Sequence, residues 1–123
     1  MSLVIKVDKK QEKNFTVFLK GAIDSATYGI LEQELKLILS PPPEVLIVDM
    51  GEVSYISSMG VSVFLKTKQE VEGDKGIFIL TNLQPQVKNV FKIIEALPNL
   101  NIFVGIDEAD EYIRRRQQGD KDA

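Results

Sequence analysis

Neither cysteine nor histidine occurs in the 123 residues. Without cysteine there are no disulfides, no thiolate metal ligands and no thiol nucleophile. Without histidine there is no Ser-His-Asp triad, no imidazole metal site and no phosphohistidine relay. Acid–base chemistry would fall to carboxylates, lysine and tyrosine, and no paired-carboxylate motif stands out, so an enzyme is not expected. A basic excess is also lacking. Fifteen Lys and Arg face 18 Asp and Glu, and the net charge of −3 is the wrong sign for a nucleic-acid surface. No apolar run approaches the roughly 20 residues of a membrane helix. Met1 to Lys10 has no signal-peptide pattern, and no glycine-rich phosphate loop appears. The expectation is a soluble, cytoplasmic chain without metal or cofactor, with no nucleic-acid partner and no membrane insertion.

What remains is an ordinary globular composition, 44% apolar and 27% charged, at a length that supports one domain. Residues 1–118 read as that domain and 119–123 as a flexible tail. Leu3–Val7 and Phe15–Leu19 are rich in β-branched and aromatic residues, and Asp8 to Asn14 between them reads as a hairpin connection. Asp24 or Ser25 can cap a helix over about Ala26–Leu39, where Leu31, Leu35, Ile38 and Leu39 make one apolar stripe. Pro41-Pro42-Pro43 stops it. Val45–Val48, apolar on both faces, predicts a central parallel strand.

Asp49 to Ile56 reads as a loop or a short strand extension. It leads to a second helix over about Met59–Val71, with Val61, Phe64 and Leu65 inward. After the Gly73–Gly76 turn come a buried strand at Ile77–Leu80 and a helix opened by Pro85. Val87, Val90, Phe91 and Ile94 line that helix, and Pro98 ends it. A strand at Ile102–Val104 and a helix capped by Asp107 complete the order β-β-α-β-α-β-α-β-α, a mixed α/β sheet with helices packed on it. Arg114-Arg115-Arg116 then falls in the last helical turn as a solvated, dipole-matched end.

The Ser57-Ser58-Met59-Gly60 run lies where a strand region meets a helix start. Local pattern assigns one serine to the N-cap and leaves the other open. Asp24 is either a cap or a partner contact. Asp49 is read as structural, bonding nearby backbone at a strand end.

The stretch Asp49 to Val61 resembles the signature of the STAS domain, the fold of bacterial anti-sigma-factor antagonists. In that signature an aspartate-terminated strand leads to an Ile/Met-Asp-Ser-Ser/Thr-Gly run and then a helix. Leu19-Lys20-Gly21-Ala22-Ile23-Asp24 resembles the family's Leu-x-Gly-x-Ile/Leu-Asp turn. Leu80 to Leu97 resembles its strand, Asn-Leu-x-Pro-x-Val turn and helix. The likeness spans about Phe15 to Ile113.

It implies a STAS-type sheet with helices mainly on one face, and an antagonist that binds an anti-sigma factor doubling as a serine kinase. Phosphorylation of a serine at the second helix start turns such an antagonist off, and a serine phosphatase restores it. Aligned on Ile56 and Gly60, that serine is Ser58 rather than Ser57, and Asp24, Ser57, Ser58, Met59 and Gly60 form the implied partner face. Ser57 stands where the family has Asp, and Met59 where it has Ser or Thr. The alternative is a STAS scaffold or sensor subunit of a multiprotein or transporter-associated complex that is never phosphorylated. A monomer or weak dimer is expected in either case.

Overall fold

The apolar runs pair into one five-stranded sheet in the computed structural model, which describes residues 2–122 and side chains as far as Gly119. The elements are β1 (Leu3–Gln11), β2 (Asn14–Ile23), α1 (Tyr28–Ile38), β3 (Val45–Ile56), α2 (Ser58–Gly73), β4 (Ile77–Thr81), α3 (Pro85–Ile93), β5 (Asn101–Phe103) and α4 (Ile106–Asp122). Strand order is β1-β2-β3-β4-β5. The β1–β2 pair is antiparallel and the other pairs are parallel. Val45–Val48 is thus central and parallel, as its two apolar faces require.

Alternation along the strands sorts side chains between two layers. Val17, Leu19, Leu46, Val48, Phe78 and Leu80 face α1, α2 and α3, and belong to the main core. Val45, Ile47, Ile77 and Ile79 face α4 and form a smaller cluster with Ala109. Phe64 of α2 lies against Phe78 and Phe91, with centroids 6.3 and 6.4 Å away, and all three rings are fully buried. Each contributes about 1.5–3 kcal/mol by leaving water.

Several boundaries differ from the sequence reading. The strands of the hairpin run on until only Glu12 and Lys13 separate them. The first helix starts at Tyr28, because Thr27 is its N-cap and Asp24 organises the turn before it. Asp49 to Ile56 is strand throughout. Its registers to β2 shift between Phe18 and Lys20 and again between Gly21 and Ala22, where β3 carries an extra residue each time. These two bulges let Met50, Val53 and Ile56 all reach the core at a spacing of three.

Pro98 does not end α3. That helix stops at Ile93, left-handed Glu95 (φ 63°) turns the chain, and Pro98 lies in a 3-10 turn over Leu97–Asn99. Ile94 consequently falls outside the helix and stays exposed. The last strand is one residue earlier than expected, and α4 begins at Ile106, with Asp107 in its first turn. The helix continues through Gly119 to Asp122, over most of the segment read as a tail, whose final Ala123 lies outside the described residues. Arg114–Arg116 are therefore mid-helix. Arg114 and Arg115 pair with Glu111, and Arg116 reaches the Tyr112 hydroxyl at 2.6 Å.

Candidate functional site: the start of the second helix

The parallel pair β2–β3 ends in register, Ile23 opposite Ile56. The next residues, Asp24 and Ser57, therefore leave the sheet side by side. The Ser57 N–H donates to Ile23 O at 2.8 Å, which fixes that junction. Ser57 itself is extended (φ −91°, ψ 169°), and its Oγ accepts the Gly60 N–H at 3.3 Å as the N-cap of α2. The role a carboxylate would play at this position is thus filled by a hydroxyl, since Ser and Asp cap about equally well.

Ser58 is the first residue of the helix and is exposed, and its hydroxyl has no partner among the described residues. Met59 follows at 44% exposure. Gly60 is buried rather than exposed. A Cβ there would come within 2.6 Å of Ile23 Cγ2 and 2.8 Å of Ile56 Cγ1, so glycine lets the helix start rest on both strand ends. Its contribution to a partner face is this close approach and not contact surface. No acidic residue lies in the first turn of α2, so the partial positive charge of its N-terminus is uncompensated there.

Asp24 is half-buried. Its Oδ1 accepts the N–H groups of Ala26 at 2.9 Å and Thr27 at 3.1 Å. Desolvation works to raise its pKa, but these bonds and the Thr27 hydroxyl outweigh it and hold the carboxyl below its ordinary value. Thr27 locks the same turn by accepting the Asp24 N–H and donating to Ala22 O. Asp49 stands apart, within β3, where its two oxygens accept from Gly51 N–H (2.8 Å) and Asn82 Nδ2 (3.1 Å). That is the structural role read from the sequence. Gln84 and Gln86, at the start of α3, donate to the carbonyls of Gly51 and Ser54 and brace the bulged strand.

The structure thus brings Asp24, Ser57, Ser58 and Met59 to one end of the sheet, with Gly60 beneath them. It adds Tyr55 and Ile30, each half exposed, which the sequence reading did not single out. Their signal was available in principle, since Tyr55 interrupts the inward positions Val53 and Ile56, and Ile30 lies beside the Leu31 stripe. The better-formed clefts lie away from both serines, and the described residues include no cluster of three or more metal-ligating side chains.

The mixed sheet thus presents an exposed serine without a side-chain partner among the described residues at the start of α2. The chain belongs to the STAS domain family, whose model matches residues 6–109. Membership places it among regulatory binding proteins rather than enzymes.

It is 33% identical over 75 residues to BtrV of Bordetella bronchiseptica, designated an anti-sigma factor antagonist, covering 61% of this chain and 65% of that one. The fold is similar to that of an anti-sigma factor antagonist from Mycobacterium paratuberculosis (TM-score 0.82, 20% identity, 92% and 95% of the two chains). It is also similar to SpoIIAA in its unphosphorylated form (TM-score 0.77, 20% identity, 90% and 96% covered). The match to phosphorylated Bacillus SpoIIAA has a TM-score of 0.68 at 20% identity, with 89% and 99% covered. No helix among the described residues is long and apolar enough to cross a membrane.

Proposed function

We propose that this chain is an anti-sigma factor antagonist whose docking is switched at Ser58. The start of α2, with Asp24 beside it, would seat on an anti-sigma factor that is also a serine kinase, releasing the sigma factor and so regulating transcription indirectly. Transfer of the ATP γ-phosphoryl group to Ser58 Oγ, with loss of its proton, would end that docking. A serine phosphatase would reset it by hydrolysis. The observation that carries the reading is the division of labour between neighbours: Ser57 Oγ is engaged as the cap, and Ser58 Oγ is exposed and unpartnered.

Electrostatics supports the position. A phosphoserine brings about −1.5 to −2 charges, and a helix N-terminus tolerates them without refolding. The off state then arises at the interface, from bulk and desolvation against the partner. The designations of BtrV and the solved neighbours favour an anti-sigma factor as that partner.

The test is intact mass after incubation with ATP and an antagonist-specific serine kinase shown to be active on a related antagonist. Wild type and Ser57→Ala should each gain one phosphate, and Ser58→Ala none. Ser57→Ala should also unfold about 1 kcal/mol more easily, through the lost cap. Ser58→Asp should bind the kinase more weakly than wild type. A wild-type protein that binds the kinase but stays unmodified would instead be the non-switching scaffold or sensor subunit.

A further inference from the structure

The second face of the sheet carries polar side chains beside a cleft. Alternation sends Thr16, Ile47, Asp49 and Thr81 to the side of α4, which packs chiefly on β4 and β5 and reaches β3 at Val45 and Ile47. Between β2 and the start of α4 a cleft of about 680 Å³ remains, well within the size range of small-molecule sites. Thr81 is 1% and Thr16 6% exposed, both line the cleft, and neither hydroxyl has a hydrogen-bond partner among the described residues. A second depression continues past Thr16, Ile47 and Ile106 to Asn14, whose buried Oδ1 is also without a partner. Three unpartnered polar groups thus lie along one groove. Of the three, Asn14 Oδ1 is shut off from solvent, which costs about 1–3 kcal/mol for a group left dry, and the two threonine hydroxyls lie at the cleft surface.

The surroundings define what would satisfy them. Phe18, Ile47, Val104 and Ile106 give the cleft apolar walls. Three carboxylates line it, Asp107 together with Asp49 and Glu108, which also accept from Gly51, Asn82 and Val104, against one cation, Lys10, which pairs with Asp8 at 3.3 Å. Asn14 Oδ1 and the carboxylates can only accept, and both threonine hydroxyls can accept. We infer that this groove binds a small organic amine, its apolar body between Ile47 and Ile106 and its ammonium donating to the acceptors along the sheet. The site lies on the opposite face from α1–α3 and shares no residue with the start of α2.

Phenethylamine, phenethyl alcohol and phenylacetate have similar bodies and differ in the charge of the head group. Each is titrated into the full-length protein while backbone amide shifts are followed. The amine should move the amides of residues 14–18, 47–49, 81 and 104–108 saturably, with the alcohol weaker by roughly tenfold, the worth of one charge-assisted hydrogen bond, and phenylacetate silent.

Thr81→Val, which keeps the shape and removes the hydroxyl, should weaken the amine by roughly tenfold and raise the thermal midpoint of the ligand-free protein. Asn14→Ala provides an independent second variant with the same loss of amine binding. No saturable shifts with the amine, equal binding of all three probes, or preference for phenylacetate would each overturn the inference. So would a Thr81→Val protein that is less stable than wild type, since its hydroxyl would then have had a partner.

Discussion

The same strands build a closed face and a half-open one. β3 sends Leu46 and Val48 under three helices and Val45 and Ile47 under the single helix α4. On the closed face Phe64, Phe78 and Phe91 are fully buried, and among the described residues no charged side chain is buried with them. On the half-open face threonines sit among isoleucines, and Phe18 and Ile106 remain partly exposed. The contrast separates two jobs. Packing on the closed face holds α2 where its first turn projects from the sheet end, while the open face keeps a groove that packing has not consumed.

Truncations should reproduce that division. Phe64→Ala removes a ring touching two others and should cost about 3–5 kcal/mol. Tyr112→Ala on the opposite face forfeits a half-buried ring 5.2 Å from Phe103 and should cost about 1 kcal/mol. Urea midpoints with unchanged slopes would report both. Equal losses would mean that α4 is as much a part of the core as α2, and the division would fail.

The closed face also sets the position of the α2 start, through a glycine. Gly60→Ala puts a methyl against Ile23 and Ile56, stiff β-branched residues at two strand ends, and should cost about 1–3 kcal/mol. Gly29→Ala in α1 meets nothing within 4 Å and should instead stabilise by about 0.5–1 kcal/mol. If Gly60→Ala were as harmless as Gly29→Ala in thermal unfolding, close approach would not be what positions Ser58.

The order of elements was legible because each strand and helix has its own clean period. The stripe at Leu31, Leu35 and Ile38 and the run Val45–Val48 are buried as their spacing requires. Past Asp49 the period is lost. Two bulges place Met50, Val53 and Ile56 inward at intervals of three, which matches neither a flat strand nor a helix. The end of α3 was illegible for another reason. Glu95 adopts a left-handed conformation that glycine or asparagine normally announces, so Pro98 attracted the boundary instead.

At the candidate site the motif alignment singled out Ser58 over Ser57, whereas local pattern left open which serine caps the helix. Only the geometry of Ser57 and Gly60 separates the cap from the exposed hydroxyl. The groove under α4 left no mark in the sequence, because Thr16 and Thr81 are good strand residues whether or not their hydroxyls find partners.

The smallest effect concerns Asp24, and it separates the candidate site from the α4 surface by its dependence on pH and salt. Both Asp24 and Glu111 have lowered pKa values. Asp24 is pulled down against desolvation by N–H donors of its own turn, whereas Glu111 is lowered first by the hydrogen bond from Arg115 and then by the charge of Arg114.

A carboxyl lowered on folding stabilises fully above its unfolded value near pH 4, and the contribution disappears as pH falls through the folded value. As pH falls below about 4, wild type should therefore lose stability more steeply than Asp24→Asn or Glu111→Gln. Raising salt to about 1 M should erase the Glu111→Gln difference, because exposed ion pairs are screened. The Asp24→Asn difference should persist, because short hydrogen bonds to backbone N–H groups do not depend on a mobile counter-charge. Urea midpoints across that pH range at two salt concentrations decide it. A salt-sensitive Asp24 would mean that its carboxylate is held by distant charge and not by its own turn, leaving it free to swing toward a partner beside Ser58.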